Sequence, residues 1–181
     1  MIIRLTGVLA IWGLSSCASD DVGSTYRLGE EELQQSGVRV EITGSSVQRS
    51  LARTVDKQRK ANGFEPLIYD ERIANLAQGH SDKLMKRYVS TGKTKLDHQG
   101  VKWRFNTIML DYAMSKTAEN VACCSKSPEP LNLLVTLWLR SEKHRVNMMQ
   151  DWTHTGVGVS VAPDGSVFTT QIFSLKTDYT F

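Results

Sequence analysis

Three residues of this chain could make a chemical site if a fold brought them together: His98, Glu119 and His144. Two neutral imidazoles and a carboxylate are a sufficient set for a divalent metal, zinc above all, with an open position left for water or a ligand. A metal-bound water with Glu119 as general base and His144 beside it would make a hydrolytic centre, in which those two residues would be the catalytic pair. The same side chains could equally form a hydrogen-bonded cluster that stiffens a cavity and holds no metal. Ser141 stands three residues before His144, so a Ser–His–Glu arrangement is conceivable, although that spacing alone shows only helical proximity. Neither a Gly-x-Ser-x-Gly elbow nor a His-Glu-x-x-His motif occurs. The three residues are far apart in the chain, so only tertiary structure can unite them.

Other polar and aromatic residues read as structural. His80 falls on the apolar stripe of a predicted helix, which assigns it a packed, hydrogen-bonded role. His154 precedes a strand and reads as a surface or supporting residue. Asn120 can satisfy loop amides with its side chain. Trp103, Trp138 and Trp152 read as core or cavity wall. Arg145 is expected to pair with a nearby acid. Cys123 and Cys124 are adjacent, with Cα atoms about 3.8 Å apart, below the usual disulfide range, so two separate thiols are expected.

The elements that must position these residues follow from the apolar period. A helix starts after Ser45 or Ser46, carries Val47, Leu51, Val55 and Gln58 on one stripe, and stops at Asn62-Gly63. Pro66 keeps the following stretch extended. Asp70 caps a second helix with the stripe Ile73, Leu76, Ala77, His80, Leu84 and Tyr88. A third helix covers about Glu129 to Arg140, with Leu133, Leu134, Leu137 and Trp138 facing the core. The period then changes to two. Val157, Val159 and Val161, the turn Pro163-Asp164-Gly165 and the run Val167–Phe173 predict a hairpin. Val38, Val40 and Ile42 allow a short strand further upstream. Helices followed by an antiparallel hairpin predict an α+β or layered α-β-α domain.

Composition is that of an ordinary globular protein, with 40% hydrophobic and 23% charged residues. The net charge of +3 is small and its basic residues are interleaved with acids, which argues against a nucleic-acid surface. Arg4 and the apolar run Leu5–Leu14 read as a secretion signal over residues 1–16, too short to span a bilayer. Leu14-Ser15-Ser16-Cys17 resembles the bacterial lipoprotein box, in which the cysteine is acylated and becomes the new N-terminus. A lipidated Cys17, with Ala18 after it, predicts an extracytoplasmic protein held at a membrane surface, the outer membrane where there is one. The polar, acidic stretch after it reads as a tether, so the expected division is 1–16 signal, 17–45 anchor and tether, and 46–176 folded domain.

Several motifs in order resemble one family. Gln58-Arg59, Pro66-Leu67 and Ala77 with His80 look like the opening of bacterial CAP domains, the superfamily of the cysteine-rich secretory and pathogenesis-related 1 proteins. Asp97-His98-Gln99-Gly100 is similar to the segment that carries the family's first cavity histidine. Glu119-Asn120-Val121-Ala122 resembles its Glu-Asn-hydrophobic-Ala signature. Trp138-Leu139-Arg140-Ser141, His144-Arg145 and Asn147-Met148 resemble its tryptophan helix and second histidine motif. Gly156-Val157-Gly158-Val159 and Thr170-Gln171-Ile172-Phe173 look like its closing strands. The resemblance runs from about residue 46 to 174.

This resemblance implies an α-β-α sandwich with His98, Glu119 and His144 in a cleft, and Asn120, Ser141 and Glu142 supporting them. It implies a zinc or other divalent site as one use of the cleft, and a lipid, sterol or envelope ligand as another. The family's second cleft acid often lies three positions after the tryptophan, where this chain has Ser141; Glu142 would point about 100° further round an ideal helix. The expected function is therefore an exported, membrane-anchored CAP protein whose cleft binds a small ligand or divalent metal. A metal-dependent, peptidase-like hydrolase and a protein-partner scaffold with a vestigial cleft are the alternatives.

Overall fold

The computed structural model describes residues 45–176, together with the backbone of two short antiparallel strands, β1 (Ser16–Cys17) and β2 (Thr25–Tyr26). The rest of the signal and tether, and the strand expected over 38–42, lie outside the described residues.

Helix α1 (Ser45–Ala61) buries Val47, Leu51, Ala52 and Val55. Its stripe ends on Arg59 rather than Gln58. The Arg59 guanidinium reaches the carbonyls of Met148 and Gln150 and so ties the helix end to the chain before the last hairpin. Extended β3 (Ile68–Tyr69) leads into α2 (Glu71–Thr91). Asp70 caps α2 as expected, accepting from the Arg72 amide at 2.8 Å. Two elements had no clear periodic signature. They are α3 (Val101–Asp111), with only Arg104 and Ile108 buried, and β4 (Lys116–Cys124). Then come α4 (Pro130–Arg140), the seven-residue α5 (Glu142–Met148), β5 (His154–Val161) and β6 (Val167–Leu175).

The sheet order is β3-β5-β6-β4, with β6 antiparallel to both neighbours and β3 parallel to β5. Strand alternation divides its two faces. On one face Val157, Phe173, Ala122 and Cys124 pack with Leu51, Val55, Leu134 and Trp138 of α1 and α4. On the other, Ile172, Val121, Cys123 and Phe168 meet Ile73, Ala77 and Leu84 of α2 and Ile108 of α3. The result is the α+β, three-layer α-β-α sandwich that the resemblance implied.

Cys123 and Cys124 are buried on opposite faces of β4 as thiols, not joined in a disulfide. Trp103 is a correction: it stands 61% exposed on α3 and belongs to no core. Trp138 and Trp152 are buried.

Helix α2 lies unusually close to β5. A Cβ on Gly156 would fall 2.2 Å from the Ala74 amide nitrogen, and one on Gly158 would fall 2.4 Å from the Ala77 carbonyl. These two glycines let a helix backbone rest on a strand backbone. That packing sets the depth of His80, one turn further along α2.

Candidate functional site

Strand β4 is an edge of the sheet, and its period of two sends Glu119 and Asn120 to opposite faces. Glu119 turns toward α2 and α3. Arg104 donates to both its oxygens, from Nε and Nη2 at 2.7 Å each, and His98 Nδ1 lies 2.8 Å from Oε1. His80 Nδ1 is 4.0 Å from the same oxygen and makes its own bond, 3.0 Å long, to Thr170 Oγ1. Asn120 turns the other way. It donates to the His144 carbonyl at 2.9 Å and accepts from Asn147 Nδ2 at 3.0 Å. Trp152 Nε1 then donates to the Asn147 carbonyl at 2.6 Å. This chain of bonds holds α5, and hence His144, against the sheet edge.

A cleft of about 530 Å³ opens between these two halves. His98 and Glu119 form one wall; Glu142, Lys143, His144, Val146 and Asn147 form the other. Its size is that of a small-ligand site. His144 is only 3% exposed, and its Nε2 has no hydrogen-bond partner among the described residues.

The electrostatics are specific. Burial alone would raise the Glu119 pKa, but the bonds from His98 and Arg104 outweigh it and hold the carboxyl below the ordinary range. Burial pushes His144 down to about 4, with His98 and Lys143 adding to the shift, so its ring is neutral at physiological pH. Burial likewise takes His80 down to about 4, against the opposing pull of Glu119.

The sequence family model for CAP, the cysteine-rich secretory protein family, matches residues 52–173, two-thirds of the chain. The chain belongs to the CAP family. An uncharacterized protein of Bacillus subtilis, YkwD, is 30% identical over 131 residues, which are 70% of this chain and 47% of that protein. The CAP chain thus spans about half the length of the curated relative it matches. Two solved structures share the CAP fold at low identity. An outer surface protein of Borrelia burgdorferi is 19% identical with a TM-score of 0.58, over 77% of this chain and all of that one. A cysteine-rich secretory protein of Staphylococcus aureus is 18% identical with a TM-score of 0.55, over 83% of this chain and 46% of that one.

Against the expected site, the CAP fold brings His98, Glu119, Glu142 and His144 to one cleft. It does not bring Ser141 there. Ser141 is 1% exposed and has extended backbone, ending α4 and preceding α5, so the chain breaks helix between Trp138 and Glu142. An angle measured round one ideal helix therefore does not apply to Glu142, which opens α5 at the cleft. Arg145 is another correction: its guanidinium bonds the Leu139 carbonyl at 3.2 Å rather than an acid.

Sequence reasoning missed Arg104, the strongest partner of Glu119. The available signal is Gly100 followed by Arg104 and Ile108 four residues apart, but a helix that buries an arginine in place of an apolar stripe has no legible period. It also separated His80 from the cluster to which its ring belongs.

The donor set does not fit a zinc centre. Both Glu119 oxygens are engaged by a buried guanidinium, and a metal at that carboxylate would have to displace it. Among the described residues no three His, Cys, Asp or Glu side chains converge as a metal-holding group.

Proposed function

We propose that this chain is an exported CAP protein, held at a membrane by a lipidated Cys17, whose cleft binds a small, largely apolar envelope ligand through one neutral hydrogen bond at His144. The observation that carries this reading is the buried, unpartnered Nε2 of His144 in the wall of a ligand-sized cleft. A buried polar atom left unsatisfied costs about 1–3 kcal/mol, and a ligand hydroxyl or carbonyl would relieve it. Val146, half exposed beside it, offers apolar surface to the rest of such a ligand. Export is supported by the secretion-type N-terminus and by the likeness to an outer surface protein and to a cysteine-rich secretory protein.

Hydrolysis is disfavoured by the same geometry. A carboxylate ion-paired to Arg104 and held below its ordinary pKa is a weak general base. Ser141 does not line the cleft. The cleft residues bind and orient; they do not assemble an activated nucleophile.

The test is a titration of the full chain with palmitate and with cholesterol, followed by NMR at the His144 side-chain nitrogens and at the backbone amides of the cleft residues Glu142 and Asn147. Either one shifting Nε2 and the cleft amides saturably, with the saturable shifts of the Glu142 and Asn147 amides lost in His144→Phe, is the expected result. Binding that leaves Nε2 unmoved, or survives in His144→Phe, would reassign the cleft.

A further inference from the structure

The loop carrying His98 has two sides. His98 turns to the cleft at the β4 edge, whereas Asp97, Gln99 and Gly100 line a second cavity of about 390 Å³. Its opposite wall is α2, through His80, Lys83 and Arg87 at steps of three and four, which places them on one helix face.

His80 is the deep wall of this cavity. Its side chain is 1% exposed, and its Nε2 is buried with no hydrogen-bond partner among the described residues; Asp97 Oδ1 is 4.0 Å away, beyond bonding reach. In the neutral tautomer that carries its proton on Nε2, the Thr170 hydroxyl donates to Nδ1 across 3.0 Å and Nε2 is left as a donor, and this is the tautomer an anion would select. Arg87 and Asp97 pair at 2.9 Å and cancel each other's charge, while Arg87 Nε is a further buried donor without a partner. Lys83 stands at the mouth with no ion-pair partner among the described residues. Finally, α3 starts here on Gly100, at φ +79°, with no capping side chain; the His98 carbonyl takes the Val101 amide at 2.9 Å, and the Lys102 amide behind it has no side-chain acceptor. The two buried side-chain atoms left unsatisfied at this cavity, His80 Nε2 and Arg87 Nε, can both donate, and Lys83 and Arg87 against Asp97 leave its lining with a net positive charge.

We propose that this cavity is a second binding site, one that takes a phosphate-class oxyanion, as the free ion or as a phosphate monoester. Lys83 supplies the charge, His80 Nε2 and Arg87 Nε supply buried donors, and the N-terminus of α3 supplies main-chain amides. The site lies across the 97–100 loop from the ligand cleft and shares none of its lining residues.

The experiment is a titration of the ¹⁵N-labelled full chain with inorganic phosphate and with glycerol 3-phosphate, at ionic strength fixed with sodium chloride. Saturable shifts at the Gly100 and Lys102 amides and at His80 Nε2, at least tenfold weaker in Lys83→Gln, are expected. Saturation by inorganic phosphate identifies a site for the free ion; saturation by the ester alone identifies one for a phosphoryl group on a carbon skeleton. Linear, unsaturable shifts with both, or saturation unchanged in Lys83→Gln, would overturn the proposal.

Discussion

Arg104 and Glu119 form a two-point ion pair, both contacts 2.7 Å, with side chains only 3% and 1% exposed. Such a pair contributes little net stability against an apolar pair of the same shape, because both ions are desolvated. Its effect is on specificity: it fixes one orientation of the carboxylate, and His98 takes its own position from that.

Removing either partner alone therefore destabilises strongly. Arg104→Met leaves a buried carboxylate uncompensated and is expected to cost about 3–5 kcal/mol. Adding Glu119→Leu to that background should recover a large part of the loss. Urea denaturation of the two single variants and the double variant measures the coupling, and additive losses would contradict it.

Acid should unfold this protein early. His80 and His144 titrate near 4 when folded and near 6.5 when unfolded, so the unfolded chain binds protons first as pH falls. Stability is then constant above about 6.5 and falls between 6.5 and about 4, by up to about 3 kcal/mol per histidine. Glu119, with its folded pKa depressed, extends the loss below its ordinary value of 4.5. Denaturation midpoints at pH 7.5, 6, 5 and 4.5 check the slope, and His144→Phe should flatten it.

The approach of α2 to β5 predicts opposite signs for three similar substitutions. Gly156→Ala and Gly158→Ala each press a methyl group into helix backbone and should destabilise by about 1–3 kcal/mol or more. Gly79→Ala, exposed on α2 with nothing within 4 Å, should stabilise by about 0.5–1 kcal/mol. Thermal melts of the three variants suffice.

Asn120→Ala removes the donor to the His144 carbonyl and the acceptor of Asn147 together. A loss of about 1–3 kcal/mol is expected from the buried groups it strands. The α5 amides should exchange faster with solvent while those of α1 do not, which hydrogen exchange reads directly.

Zinc titrated into the full chain by calorimetry should give the same heats for the wild type and for His98→Ala/His144→Ala. A micromolar site lost in the double variant would replace the ligand reading of the cleft with a metal one.

The sequence by itself determined α1, α2, α4 and the closing hairpin, because their burial repeats at the intrinsic period of a helix or a strand. It also marked the Asp70 cap and the polar residues that meet at the β4 edge. Tertiary structure alone decided that α3 forms with a buried arginine in place of an apolar stripe, that Trp103 faces out, and that helix breaks at Ser141 so that Glu142 begins α5. It alone put His80 in contact range of Glu119 and gave Arg104 its partner. The reason is physical. Periodicity is a property of neighbouring residues, whereas the partner of a buried charge is set by whichever distant backbone packs against it, and here that depends on an edge strand and on two glycines that let α2 lie close to the sheet.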